Sequence, residues 1–507
     1  MSATRFVTTR NGRSLDRASV PRLGIEDLRR VVIDATSRGE RVSALFGVPA
    51  EGGRVELVAV LADDAEATIR VGTALIDDSY PSMTPDCPQV HLFEREIAEQ
   101  WGVVPSGHPW LKPVRFVRSG RPGHDAWNRG DDHVPVVGVM DFYRVEGDEV
   151  HEVAVGPVHA GVIEPGHFRF QCHGEEVFHL EISLGYQHRG VERALVGGPN
   201  KRSIHYAETL SGDTTVGHTT AYCHVLEGLQ GLRVPARAHA LRGVGLELER
   251  LANHTGGLGG LANDVAFLPT AAFCGRLRGD FLNITAALCG NRFGRDLVRP
   301  GGVAFDADQA LAAKMIGRLD AAMRDVRPSL ELLWDTASVQ ARFESTGTVS
   351  TEDAEALGLV GVSARACGLE RDVRLDHPSG VFRMAHIPVS VWQAGDVFAR
   401  AYVRWLEIQR SAAFVREQLK GLPAGPTRVE PGELGPNRIC VSLVEGWRGE
   451  ICHVGLTDGA GKLSAYKVVD PSFHNWQGVA MALRGQQISD FPLCNKSFDL
   501  SYCGFDL

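Results

Sequence analysis

The spacing of apolar residues divides the chain into parts with different patterns. In Ile25–Ser37 the apolar residues recur at the spacing of one helix face. Three runs rich in Val, Leu and Ile have the length of strands, namely Arg41–Val48, Arg54–Leu61 and Ala67–Leu75. A second helix is predicted over Val90–Glu99. These elements predict a small α+β domain over residues 1–118.

A polar tract follows, and the pattern then changes. Residues 119–133 are rich in Gly, Pro, Asp and Arg, a composition typical of a linker. Residues 134–507 are predicted to form one large, mainly α-helical domain with peripheral strands. Its helices are predicted at Thr219–Leu229, Ala236–Asn253, Ala271–Leu288, Ala307–Val326 and Gly395–Leu419.

Prolines, short apolar runs and a turn sequence give further detail of this large domain. Pro235 and Pro328 are placed at helix edges. Short strands are predicted over Val136–Arg144 and Glu149–Val155, and a hairpin over Arg448–Tyr466 with its turn at Asp458-Gly459.

Composition excludes several classes of protein. The 507 residues carry a net charge of -9 with both signs interspersed, which argues against nucleic acid as the main partner. No apolar run approaches the ~18 residues of a membrane span, and the first residues carry no hydrophobic signal region. We therefore expect a chain that is not secreted and that associates with a membrane only through other subunits.

The ten cysteines are scattered along the chain. None forms a Cys-x-x-Cys pair, the spacing typical of iron–sulfur clusters and structural zinc sites. We expect reduced, mostly buried thiols and no cofactor held by this chain.

Two segments carry the chemistry of greatest interest. Thr209–Tyr222 reads TLSGDTTVGHTTAY, and Ser489–Leu507 reads SDFPLCNKSFDLSYCGFDL. Both resemble the metal-binding segments of the large subunit of group 4 nickel-iron hydrogenases, the formate hydrogenlyase or hydrogenase-4 type. In that family each segment carries a Cys-x-x-Cys pair.

The resemblance aligns the four metal-ligand positions with Ser211, Thr214, Ser501 and Gly504. Three hydroxyl groups and a glycine cannot replace thiolates, the soft ligands that favour nickel. Cys503 is one position short of the last ligand and is interpreted as a bystander. The resemblance therefore implies a hydrogenase scaffold without its nickel–iron centre and with no other metal site.

The first domain has a resemblance of its own. Phe93-Glu94-Arg95-Glu96, followed by Gly107-His108-Pro109, is similar to the signature of the complex I 30-kilodalton subunit. The Asp-Leu-Phe-Gly that this family has between them is replaced by Glu99-Gln100-Trp101-Gly102. Taken alone, the segment could also be a charged helix followed by a proline turn.

Seven further motifs in order resemble the large-subunit family that the complex I 49-kilodalton subunit shares with group 4 hydrogenases. They are Gly156–Gly161, Glu164–Arg169, Leu184–Glu192, Leu246–His254, Arg299–Val303, Ala364–Gly368 and Arg371–Pro378. The resemblance implies a 30-kilodalton-like domain fused to a large-subunit domain.

From these motifs we select candidate cavity or proton-path residues: His159, Glu164, His167, Arg169, Asp213, His218 and Asp499. Each also has a structural alternative. His167 and Arg169 could bond backbone in a turn, and His218 could be a core histidine. In the implied fold the loop with Asp213 faces the loop with Asp499, which predicts a pocket of hydroxyls and two carboxylates suited to water, protons or a hard cation.

Complex I uses the corresponding cavity for a quinone headgroup. The family's histidine and tyrosine contacts align with Pro165 and Gly212 here, so both are missing. His159, His167 and Tyr186 are nearby candidates. No phosphate-loop or dinucleotide fingerprint is present, which argues against nicotinamide binding by this chain.

The resemblance favours a subunit of a complex I-like oxidoreductase on the cytoplasmic side of a membrane. The expected partners are a small iron–sulfur subunit, which would hold the cluster, and antiporter-like membrane subunits. Electrons would pass to a quinone-type acceptor or drive proton movement. A catalytically inactive scaffold linking these partners is the alternative, and an active hydrogenase would need nickel held without thiolates.

Overall fold

Strands form most of the regular structure at the start of the computed structural model, which describes residues 6–130, 132–159 and 163–507. The strands of this first part are β1 (Val7–Thr9), β2 (Ser14–Asp16), β3 (Arg22–Leu23), β4 (Arg41–Pro49), β5 (Val55–Asp63), β6 (Thr68–Ile76), β7 (Ser79–Pro81) and β8 (Val104–Ser106). Two helices accompany them, α1 (Ile25–Thr36) and α2 (His91–Trp101).

The main sheet of this part has the order β1-β6-β5-β4, and β3 pairs with β6 in parallel. Helix α1 covers it with an apolar face, because Leu28, Val32 and Ala35 follow helical spacing and are buried. Helix α2 ends where Gly102 adopts a left-handed φ of 64°. The sequence-based predictions of both helices and all three strands are confirmed within three residues.

The second part adds eight strands and fourteen helices among the described residues. Its strands are β9 (Val150–Val155), β10 (His167–His173), β11 (Glu176–Ser183), β12 (Val298–Arg299), β13 (Gly302–Val303), β14 (Arg438–Glu445), β15 (Glu450–Thr457) and β16 (Leu463–Val469). The shorter helices are α3 (Val191–Leu195), α4 (Ser203–Thr209), α9 (Ala337–Phe343), α10 (Thr351–Ala356), α11 (Gly361–Arg365), α12 (Val373–Asp376), α15 (Phe491–Phe498) and α16 (Tyr502–Asp506). The longer ones are α5 (Thr215–Gln230), α6 (Ala236–Asp264), α7 (Leu268–Cys289), α8 (Gln309–Trp334), α13 (Val397–Lys420) and α14 (Pro471–Ala482).

The long helices α6, α7, α8 and α13 pack against one another. Helix α6 is buried over most of its 29 residues and begins directly after Pro235, as predicted. Pro328, however, lies inside α8 and not at its edge. Within the described residues, no helix combines the length and apolarity that crossing a bilayer requires.

The predicted hairpin is present, since β15 pairs antiparallel with β16. The prediction that the strands are peripheral is wrong for this sheet, because every residue of β15 is buried. The sheet continues through β14 to β2, so the start of the chain completes a sheet of the second part. Arg41 of β4 reinforces this contact by pairing with Glu450 at 2.8 Å.

The segment between β8 and β9 has no regular structure in its described residues. The predicted strand over Val136–Arg144 is therefore wrong, although Glu149–Val155 is confirmed as β9. The tract 119–133 is irregular where it is described, and it contacts the first part, since Arg121 pairs with Asp78. The domain boundaries at 118 and 133 stay predictions.

Candidate functional site

Three loops meet at the positions that the sequence aligned with metal ligands. Residues 211–214 precede α5, residues 446–449 connect β14 to β15, and residues 499–501 connect α15 to α16. We call these three loops, together with Gly504, the loop junction. The hydroxyls of Ser211 and Ser501 lie 3.0 Å apart, so the two predicted segments do face each other.

Arg448 fills the centre of the loop junction. Its guanidinium donates to Asp213 Oδ1 and Oδ2 at 2.6 and 2.9 Å, and to Thr214 Oγ1 at 3.2 Å. Its Nε donates to the backbone oxygen of Asp499 at 2.5 Å. The charged group also lies 3.9 Å from the ring centroid of Trp447. The predicted pocket for water or a hard cation is thus occupied by a cationic side chain.

The electrostatics of the junction follow from this guanidinium. Burial would raise the pKa of Asp213, but Arg448 and the hydroxyls of Ser211 and Thr214 lower it to about 2. Burial would likewise raise the pKa of Asp499, and Lys496, Arg404 and Arg448 together lower it. Both carboxylates are therefore charged at neutral pH and compensated by arginine or lysine.

Gly504 marks the fourth ligand position, and packing forbids a side chain there. A Cβ at position 504 would lie 2.6 Å from Asp470 Oδ2. Asp470 cannot easily withdraw, because it is buried, accepts from Ser472 N at 2.8 Å and lies 2.9 Å from His218 Nε2. The junction thus offers three hydroxyls, two carboxylates and a guanidinium but no thiolate, a set that does not fit a nickel–iron centre. Among the residues the structure describes, no three His, Cys, Asp or Glu side chains are grouped as metal ligands.

Behind the junction lies a buried chain of hydrogen-bonding groups. His218 Nδ1 is 3.1 Å from His453 Nε2, and His453 Nδ1 is 2.9 Å from the hydroxyl of Tyr466. His218, His453 and Asp470 are at most 1% exposed. His218 is therefore a core histidine that also reaches the site through Asp470.

The other predicted residues are distributed around the junction. Glu164 adjoins it, since its carboxylate accepts from Tyr502 N at 3.2 Å. His167 contacts the backbone oxygen of Gly156 at 3.2 Å, and Arg169 pairs with Glu152 at 2.6 Å. In the described part of the chain neither side chain bonds to the junction, and both residues lie in strand β10 and not in a turn.

Two further predicted residues lie outside this contact set. The ring of His159 is 6.2 Å from that of Phe168, and its Nε2 is buried without a partner among the described atoms. Tyr186 is partly buried, and burial next to Asp506 raises its pKa. The last two residues of the motif Gly156–Gly161 lie outside the described residues.

Sequence reasoning missed Arg448, Asp470 and His453. Arg448 is 235 residues away from Asp213 and was assigned only to the start of a hairpin. No local pattern marks any of the three, and a β-turn and a helix start bring Arg448 and Asp470 to the site. The pairing of β14 with β15 forms the turn that carries the arginine, and the packing of both strands against α5 brings this turn to the loop that precedes α5.

A groove of about 780 Å³ opens beside the junction. Asp213, Trp447, Lys496 and Asp499 line one end. The remaining wall is formed largely by small residues of α6 and α7, among them Gly256, Gly257, Gly260, Ala271, Ala272 and Gly275.

The chain is similar to proteins of two related groups. Residues 264–439 match the family model described as the respiratory-chain NADH dehydrogenase 49 Kd subunit, and residues 19–126 match that of the 30 Kd subunit. The carbon monoxide-induced hydrogenase of Rhodospirillum rubrum is 31% identical over 350 residues, 69% of this chain and 97% of that protein.

Two other relatives represent the two groups, one from each. Formate hydrogenlyase subunit 5 of Escherichia coli is 28% identical over 86% of this chain and 78% of its own length. NADH-quinone oxidoreductase subunit 4 of Thermus thermophilus is 27% identical over 69% of this chain and 92% of its own length.

Proposed function

The chain belongs to the large-subunit family shared by group 4 hydrogenases and complex I, and from this premise we propose that it is the large subunit of a membrane-associated oxidoreductase complex that has no nickel–iron centre. In this proposal electron transfer through a partner's iron–sulfur cluster is coupled to proton translocation. Relatives named as hydrogenase, formate hydrogenlyase and NADH-quinone oxidoreductase subunits support the general class.

The observation that supports the absence of a nickel–iron centre in this proposal is the position of Arg448. Its guanidinium bonds to Thr214, which is a former ligand position, and to Asp213, which lies between the former ligand positions Ser211 and Thr214. Because the guanidinium binds both oxygens of Asp213, that carboxylate is not available to a metal ion. Gly504 adds a steric argument, because a cysteine at that position would collide with Asp470.

The buried series of hydrogen-bonded side chains behind the loop junction supports the proposed coupling of electron transfer to proton movement. Asp470, His218, His453 and Tyr466 are joined by contacts of 2.9–3.1 Å, the separation needed for proton transfer along hydrogen bonds. In the proposal, reduction of a neighbouring acceptor draws a proton toward the junction. Arg448 and Asp213 hold the loops in place, and the imidazole of His218 exchanges the proton with Asp470.

The groove beside the junction is the proposed place of a quinone-type acceptor. Its volume of about 780 Å³ is within the usual range for small-molecule sites, and Gly275 leaves free space in its wall, because a Cβ there would meet nothing within 4 Å. Lys496 in its lining has a side chain that is 36% exposed and can donate to a headgroup.

Metal analysis tests the proposal that the chain holds no nickel–iron centre. The chain is purified with its small iron–sulfur partner, and nickel and iron are measured per complex. We expect no nickel, and iron only in proportion to the clusters of the partner. Nickel near one per chain would overturn the metal-free proposal and restore the hydrogenase alternative.

A pair of glycine variants tests the acceptor. Gly275 lines the groove and Gly317 does not, and a Cβ at either meets nothing within 4 Å. Gly275→Phe should block binding of a photoreactive quinone analogue to the complex, whereas Gly317→Phe should leave it unchanged. If the wild-type complex does not bind the analogue, the scaffold alternative is favoured.

A further inference from the structure

A second cavity, of about 710 Å³, opens away from the loop junction where three segments meet. They are residues 11–14, which lead from the turn after β1 into β2, the end of α5 with the turn into α6, and the short 3-10 turn Gly380–Arg383. None of its lining residues belongs to the loop junction. Any function of this cavity is therefore separate from the chemistry proposed above.

Three guanidinium groups line this cavity. Arg13, Arg233 and Arg383 are exposed, and in the described part of the chain none of them pairs with a carboxylate. The one carboxylate in the lining belongs to Glu227, and Arg242 binds its oxygens at 3.0 and 2.6 Å. The cavity thus carries an excess of uncompensated positive charge.

Two imidazoles form part of the same lining, His224 and His239. His224 is only 9% exposed, and Nδ1 of each ring is buried without a partner among the described atoms. Buried polar atoms in folded proteins nearly always have a partner, and these two are closed to the open cavity; a small pocket of about 20 Å³, which both rings also line, is large enough for an ordered water. Burial, together with Arg242 and Arg383, lowers the pKa of His224 to about 3, so this ring is neutral and carries one N–H donor.

We propose that this cavity is a binding site for a small phosphate-bearing anion. Arg13, Arg233 and Arg383 would surround its oxygens. A single carboxylate could not balance three guanidinium groups, whereas a phosphate group presents several charged oxygens that match their paired N–H donors. The site would also tie residues 11–14 to the helical part of the chain.

Two sources can supply this chemistry, a phosphate compound in solution or the headgroup of an anionic phospholipid. Two probes separate them. Pyrophosphate is titrated calorimetrically into the full chain at constant ionic strength, and vesicles of phosphatidylglycerol are compared with vesicles of phosphatidylcholine in a flotation assay.

The test variant is Arg233→Gln combined with Arg383→Gln. Both side chains are exposed and make no ion pair in the described structure, so we expect the protein to fold. Arg54→Gln is the matched control, because Arg54 is exposed and does not line the cavity. Thermal unfolding of all variants without ligand checks that their stability is equal.

We expect at least a tenfold loss of affinity in the double variant and no change in the control. Binding of pyrophosphate identifies a soluble ligand, and binding of phosphatidylglycerol vesicles alone identifies a headgroup. The proposal is overturned if neither probe binds, or if the double variant binds as well as the wild type. Neither result bears on the metal content that tests the proposed function.

Discussion

Arg448 donates to both carboxylate oxygens of Asp213, at 2.6 and 2.9 Å, and so joins two loops that are 235 residues apart in the chain. The same guanidinium reaches the backbone of Asp499 in the third loop. A paired arginine has a fixed, planar set of donors, and here the other two loops both supply acceptors to it. The pair therefore organises the loop junction.

Removing this guanidinium should cost stability. Arg448→Met leaves the carboxylate of Asp213 without its charge partner, so we expect a loss of about 2–3 kcal/mol in the free energy of unfolding. Urea denaturation of the full chain measures it. Arg416→Met is the control, because Arg416 and Asp320 form a surface pair worth at most about 1 kcal/mol. An equal loss in both variants would contradict a special role for Arg448.

The pH dependence of stability should report the same pair. The pKa of Asp213 is about 2 in the folded chain and about 3.9 when unfolded, so its contribution is present above about pH 4 and is lost as pH falls toward 2. Since its side chain is 31% exposed, we expect only about 1–2 kcal/mol. The difference in stability between wild type and Arg448→Met, measured by urea denaturation, should shrink over this range. A difference that stays constant from pH 5 to pH 2 would argue against the pair.

A side chain at position 504 should be poorly tolerated. Gly504→Ala places its Cβ 2.6 Å from Asp470 Oδ2, and we expect a loss of about 1–3 kcal/mol from this overpacking. Gly212→Ala is the matched control on a neighbouring loop, because a Cβ at Gly212 meets nothing within 4 Å. Thermal unfolding compares them, and equal melting temperatures would show that Asp470 moves aside.

Cys503 should react slowly with alkylating reagents although it is only partly buried. Burial, followed by the carboxylate of Glu164, raises the pKa of its thiol to about 11, and the thiolate is the reactive form. We expect the iodoacetamide rate at pH 8 to be roughly 100-fold below that of a free thiol and to rise with pH toward 11. Mass spectrometry of the labelled peptide gives the rate.

The variant Glu164→Gln tests whether the carboxylate of Glu164 causes the slow reaction of Cys503. Removing the negative charge should lower the pKa of Cys503 and increase its labelling rate at pH 8. Glu152→Gln is the control, since Glu152 of β9 pairs with Arg169 of β10. An unchanged rate in Glu164→Gln would attribute the slow reaction to burial alone.

The first and second parts of the chain should unfold together. Arg41 is 4% exposed and binds Glu450 across the contact at 2.8 Å, and Asp64 of the first part at 2.7 Å. Arg41→Met leaves two carboxylates with a missing partner, for which we expect a loss of about 3–5 kcal/mol. Arg70→Met, which breaks a pair within the first part, should cost less. Two separate unfolding transitions in wild type by calorimetry would contradict this coupling.

The sequence by itself determined many of the elements and the family. Helix α1, strands β4 to β6 and the hairpin of β15 and β16 follow from apolar spacing, which is local. The resemblance to hydrogenase and complex I subunits rests on motifs whose order and identity can be read along the chain. The facing of the Ser211 and Ser501 loops could be expected from that resemblance, and a 3.0 Å contact agrees with it.

Only the tertiary structure decided what fills the loop junction. Arg448 lies in the turn between β14 and β15, and tertiary packing brings this turn to acceptors 235 and 51 residues away. The steric limit at Gly504 depends on the position of Asp470. The burial of β15 likewise depends on contacts with β14, β16 and α5, which no local pattern encodes. Long-range packing of this kind reflects relations between distant segments, so a pattern of neighbouring residues cannot specify which charged group reaches the site.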